Sequence, residues 1–176
     1  MLMACIGLFF FQNQSQAQYD MREIGTRLQS FDNFGIVYKK QTDTNEYTRY
    51  QAALGEIGYA DAGAGLFATN FSFGLGWEKR VDVADDLQFV HGWNPQAGLG
   101  FTSASGINRF TINLAMGYIL GAQYNISDKF YVSLETIPQI AFSTVQGNGQ
   151  DIYNAGFRFN SDVAFLTFVY RFRPKN

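Results

Sequence analysis

The chain has 176 residues, enough for one domain, and a formal net charge of −2, which argues against a nucleic-acid or polyanion partner. A single Cys excludes a disulfide framework and a cysteine-rich metal site. No apolar run is long enough for a transmembrane helix.

Residues 1–17 read as a secretory signal peptide. Residues 1–11 are apolar, 12–16 are polar, and Ser15-Gln16-Ala17 is a small-x-small cleavage pattern, though the usual basic start is missing. Leu2-Met3-Ala4-Cys5 has the form of a lipoprotein signal, but too few residues precede Cys5 for a hydrophobic region. The remaining 18–176 are expected to form a single domain.

From Met21 the chain alternates with a period of two, the pattern of strands. In the first strand Ile24, Thr26 and Leu28 oppose Glu23, Gly25, Arg27 and Gln29, ending at the turn Phe31-Asp32-Asn33. The second, 34–40, places Phe34, Ile36 and Tyr38 on one side, and Thr42-Asp43-Thr44-Asn45 turns the chain. The third, 46–57, is weaker, and a small-residue loop is expected over 59–65. In the fourth, Phe67, Thr69, Phe71, Phe73, Leu75 and Trp77 oppose Ala68, Asn70, Ser72, Gly74, Gly76 and Glu78, with a turn expected over 81–86. The fifth opposes Leu87, Phe89, Trp93, Leu99 and Phe101 to Gln88, Gly92, Asn94, Gln96, Gly98 and Gly100.

The clearest stretch is 108–146. Phe110, Ile112, Leu114, Met116, Tyr118 and Leu120 share one parity, and Arg109, Thr111, Asn113, Ala115 and Gly117 share the other. After the turn Asn125-Ile126-Ser127-Asp128-Lys129, a seventh strand sets Phe130, Val132, Leu134, Ile140 and Phe142 against Ser133, Glu135, Gln139 and Ala141, with Tyr131 and Ile137 as exceptions. The eighth, 153–172, ends on Leu166, Phe168, Tyr170 and Phe172, and its phase slips near Asn160-Ser161-Asp162, where a bulge is expected.

The non-apolar face is mostly Gly, Ala, Ser, Thr, Asn and Gln, whereas a solvated strand face carries more Lys and Glu. Small residues suit a crowded barrel interior, and large aromatics suit a lipid-facing band. The composition agrees, with 17% aromatics and 18 Gly but only 3 Pro. The expected fold is therefore all-β, an eight-stranded antiparallel up-and-down transmembrane β-barrel. Eight strands enclose a lumen that side chains can fill. Glu23, Arg27, Arg49, Glu78, Arg80, Glu135 and Arg158 are expected to form an ion-paired polar lumen network. Trp77, Trp93, Tyr118, Tyr124, Phe130, Tyr170 and Phe172 are the expected aromatic girdle. Later strands look much longer than the first two, which predicts a rim of β-structure projecting beyond the membrane, low on one side and able to pair with another chain.

The hairpin over 121–135 resembles the last periplasmic turn of small eight-stranded barrels of the outer membrane protein A/X superfamily. The closing strand, 163–172, is similar to their C-terminal assembly signal, although residues 173–176 follow where that signal usually ends on Phe. The cleavage region and the Tyr- and Asn-rich style resemble proteins of Bacteroidetes. The resemblance implies a bacterial outer membrane, with contacts to its lipid and lipopolysaccharide. It marks a superfamily and not one activity; the projecting rim is what points to a non-enzymatic structural, partner-binding or adhesion role, with another outer-membrane or surface protein as partner, and no cofactor is expected.

A narrow channel for small solutes is the alternative, and a lipid-modifying enzyme is a further one. Barrel enzymes of this kind need a His with a Ser, and the single histidine, His91, has Trp93 two residues on where a deacylase would have Ser. Asp82, Asp85 and Asp86 read as a solvated turn and not as a calcium site. Gly74-Leu75-Gly76 and Gly98-Leu99-Gly100 lie mid-strand, so they are interior spacers and not nucleotide motifs.

Overall fold

The computed structural model describes residues 21–30, 33–60, 66–104, 107–147, 150–158 and 164–174. The expected signal peptide and the position of the expected bulge at Asn160-Ser161-Asp162 lie outside them, as does the side chain of Arg158. The strands are β1 (Arg22–Ser30), β2 (Asn33–Asp43), β3 (Glu46–Ala60), β4 (Leu66–Ala84), β5 (Leu87–Ala104), β6 (Ile107–Asn125), β7 (Phe130–Thr136), β8 (Gln139–Gly147), β9 (Gln150–Arg158) and β10 (Ala164–Phe172).

These segments make eight staves. β7 and β8 continue one another across Ile137-Pro138, and β6 pairs with both in a single register, Leu120 opposite Thr136 and Gly117 opposite Gln139. Proline has no N–H to give the ladder, yet its carbonyl still accepts the Tyr118 N–H at 2.9 Å. β9 pairs with β8 and β10 with β7. Between Gln139–Arg158 and Thr136–Ala164 the two staves fall out of step by three residues. Every consecutive pairing is antiparallel, and β1 pairs with β10 from Arg22–Phe172 to Leu28–Leu166, so the ring is closed.

The turns at one end are tighter than the alternation suggests. The expected turn over 81–86 shrinks to Asp85-Asp86, because Asp82 and Gln88 still pair across the ladder and join side chains, Gln88 Nε2 to Asp82 Oδ1 at 2.6 Å. β2 likewise runs to Asp43, leaving Thr44-Asn45 as the tip. Asn45 sits at φ 58°, left-handed backbone that Asn tolerates. β3 continues to Ala60 where a loop was expected from Tyr59, after a bulge between Leu54 and Ile57.

The barrel is inside out relative to a water-soluble sandwich. Phe71, Leu114 and Phe168 point outward and are about half exposed, as are Ile36, Leu134 and Ile140 from other staves and Phe73 beside Phe71 on β4. Glu23, Arg49, Asn94 and Gln123 are fully buried within. An apolar outer face and a polar interior, in a ring closed between β1 and β10, is the arrangement a bilayer requires of strands.

Stave lengths are unequal. β1 has 9 residues and β2 has 11, whereas β4 and β6 have 19 each. Above Phe34–Leu54 the described residues of β3 pair only with β4, and β9 pairs only with β8. The wall therefore has a notch above the first hairpin, edged by β3 on one side and β9 on the other. The notch takes the place of two strands, roughly 14 Å of wall at about 4.8 Å per spacing. Residues 152–156 of β9 are exposed on both faces, with Ile152 at 52% and Tyr153 at 65%, although β9 stays laddered to β8.

Candidate functional site

Alternation sends Glu23 and Arg27 (β1), Lys39 (β2), Arg49 (β3), Glu78 and Arg80 (β4), Tyr131 and Glu135 (β7) and Arg171 (β10) into one lumen. There they form a continuous network at its midsection and toward the tight-turn end. Glu23 accepts Arg80 in bidentate fashion, Nη1 to Oε1 at 2.9 Å and Nη2 to Oε2 at 2.6 Å, together with the Tyr131 hydroxyl at 2.6 Å and Arg171 Nε at 3.1 Å. Glu78 accepts Lys39 Nζ at 2.8 Å, Arg80 Nε at 2.9 Å and Arg49 Nη1 at 3.3 Å. Glu135 accepts Arg49 Nη1 at 2.9 Å and the Ser133 hydroxyl at 3.0 Å, with Arg27 Nη2 and Lys39 Nζ each 3.9 Å away. Each carboxylate thus meets cations from at least two other staves. Bidentate and shared contacts of this kind are what make burial of a charge tolerable.

Glycines on β4 make room for the long side chains. A Cβ on Gly76 would lie 2.7 Å from Arg49 Cγ and 2.9 Å from Asn94 Oδ1. Aromatic rings close the remaining gaps, with the Arg80 guanidinium 3.7 Å above the Tyr47 ring and that of Arg171 4.5 Å from the Tyr131 ring. Below and beside the ions, Val37, Tyr131 and Val169 make one small apolar cluster, and Val90, Ile119 and Ile137 make another against Phe165.

Of the seven residues expected in the network, Glu23, Arg27, Arg49, Glu78, Arg80 and Glu135 come together, and the Arg158 side chain lies outside the described residues. Lys39, Tyr131 and Arg171 were not anticipated. Lys39 shares the inward parity of Val37, a signal the sequence carried, and Tyr131 stood out as an exception to a polar row.

The outer half of the lumen is hollow. A cavity of about 650 Å³ lies above Arg27, walled by Gln51, Asn70, Gln96, Asn113 and Gln139 with small residues between.

On the outside, Trp77, Trp93 and Tyr118 are cross-strand neighbours in one row, Trp93 and Tyr118 edge-on with centroids 5.0 Å apart. Two residues toward the turn, Lys79 and Glu46 form an exposed ion pair at 3.0 Å. Phe130 and Tyr170 are 4.9 Å apart, with Phe172 stacked on Tyr170, and Tyr124 stands exposed beside them at the same end. His91 Nδ1 lies 3.0 Å from the Tyr118 hydroxyl and its ring stacks on Phe89, so the single histidine sits among these outward rings. Among the described residues no group of His, Cys, Asp and Glu is placed to hold a metal ion.

Closed pairing, an outward apolar band and a charged interior define a transmembrane β-barrel of eight staves. The chain is similar in structure to Neisserial surface protein A (TM-score 0.49, 10% identity, 87% of this chain and 95% of that chain). It is likewise similar to Ail, the attachment invasion locus protein of Yersinia pestis (TM-score 0.47, 12% identity, 86% of this chain and 97% of that chain). No family model matches the sequence, and no curated protein matches it.

Proposed function

We propose that this protein is a non-enzymatic barrel of a bacterial outer membrane that docks an extended segment of another surface or outer-membrane protein along its notch. Eight staves with both described chain ends beside the tight turns fit an outer-membrane barrel whose turns face the periplasm and whose long staves project outward. Lipid and lipopolysaccharide then surround the apolar band. The observation that carries the reading is the unpaired edge of β9, exposed on both faces. Free backbone N–H and C=O groups in an extended row are a template for strand addition. Native sheets blunt such edges with charges or proline, yet 150–158 holds neither before Arg158 except Asp151.

The test is a photo-crosslinking residue placed at Asn154 in intact cells, compared with one at Val83 near the tight-turn end. A discrete protein adduct from position 154, lost when Ile152 and Tyr153 are both changed to Lys, supports docking. No adduct at 154, or one that survives the double change, removes it.

A further inference from the structure

We infer that the hollow outer half of the lumen is a receptacle for a small anionic sugar of the uronate type, distinct from the notch. The volume, about 650 Å³, falls within the range of small-molecule sites. Five side chains with neutral amides, Gln51, Asn70, Gln96, Asn113 and Gln139, present both donors and acceptors around it, the chemistry that hydroxyl groups ask for. Among the described lining residues Arg27 is the one charged group, and none is a carboxylate.

Arg27 is held ready for an anion. It is 6% exposed, its guanidinium carbon lies 3.4 Å from the centroid of the Phe165 ring, and Nη1 donates to Gln51 Oε1 at 2.5 Å. Stacking and one hydrogen bond fix the plane of the fork. Neither Nε nor Nη2 has a protein acceptor within hydrogen-bond distance, and the nearest carboxylate oxygen, on Glu135, is 3.9 Å from Nη2. Glu135 is already engaged by Arg49 and Ser133. A buried guanidinium with spare donors gains most from a planar carboxylate.

The charge balance points the same way. Five cations of the network, Arg27, Lys39, Arg49, Arg80 and Arg171, face three carboxylates, Glu23, Glu78 and Glu135. Of these cations Arg27 lines the cavity, and Arg109, on the same face of β6 as Asn113, adds an exposed cation higher up. Because the network closes the lumen beneath, a ligand enters and leaves by the same mouth. The receptacle holds its ligand and does not conduct it.

The experiment is a calorimetric titration of the full barrel, folded in detergent micelles, with D-glucuronate and with D-glucose. Saturable glucuronate binding that weakens with salt, and is at least tenfold tighter than glucose, is expected. Arg27→Gln abolishes it. Should that variant fail to fold, Gly98→Leu serves instead. A Cβ at Gly98 meets only ordinary contacts, at 3.5 Å or more, and the side chain then occupies the cavity while Arg27 is untouched. Gly98→Leu is expected to lose binding while keeping the heat-modifiable mobility of a folded barrel. No saturable glucuronate binding by the unmodified protein, equal binding of glucose, or full binding by folded Gly98→Leu would overturn the assignment.

Discussion

Arg49 on β3 reaches across the lumen to Glu135 on β7, Nη1 to Oε2 at 2.9 Å, with both side chains wholly buried. The two residues stand 86 positions apart and on staves that share no ladder. This bond therefore ties opposite walls together, where backbone pairing ties only neighbours.

Removing one partner strands the other in a medium that solvates it poorly. Glu135→Gln is expected to destabilise the barrel by about 3 to 5 kcal/mol, the usual cost of breaking a buried pair. The double change Arg49→Met with Glu135→Leu is expected to cost clearly less than the sum of the two single changes. Urea unfolding in lipid vesicles measures all of them, and strict additivity would show that the pair does not couple.

The same bond is part of the plug. The unmodified barrel is expected to show no steady single-channel conductance in planar bilayers. Changing both Arg49 and Glu135 to Ser shortens two buried side chains that meet across the lumen and is expected to give measurable ion flow. Steady conductance from the unmodified protein would favour the narrow-channel reading instead.

Adjacent positions on β6 test which face meets lipid. Leu114 points outward near mid-strand, whereas Asn113 lines the cavity. Leu114→Arg is expected to cost about 2 to 4 kcal/mol of folding free energy in a bilayer. Asn113→Arg, with room in the cavity, is expected to stay within about 1 kcal/mol, since substitutions facing the lumen mainly tune selectivity. Opposite outcomes at the two sites would invert the barrel.

Gly76 tests the packing beneath the ions. Any side chain there enters the space of Arg49 Cγ. Gly76→Val is expected to lose about 1 to 3 kcal/mol by overpacking. Gly98→Ala, whose new methyl meets only relaxed contacts, is expected to be nearly neutral in the same unfolding assay.

Parity made most of this architecture readable from the residues. The face of each stave, the outward aromatics and six network members follow from period two, because a strand offers its side chains only two directions. Parity says nothing about height or about what meets across a lumen. Tyr131 broke the polar row of its strand, yet its hydroxyl is what Glu23 accepts at 2.6 Å. Ile119 and Ile137 broke theirs because they pack on each other's cluster with Val90, from three different staves. The hollow above Arg27 was equally hidden. Small residues along one strand read alike whether their opposite numbers fill the gap or leave it, and only closure of the ring decides. Turn lengths were misjudged where polar residues such as Asp82 and Gln88 pair within the ladder and do not leave it.

The low first hairpin gives an otherwise nearly cylindrical molecule a front. A barrel with staves of equal height offers every neighbour the same profile and spins freely about the membrane normal. Here, among the described residues, one compass bearing presents open backbone, so a bound companion would stop that spin and fix which flank of lipid-facing rings each further neighbour meets.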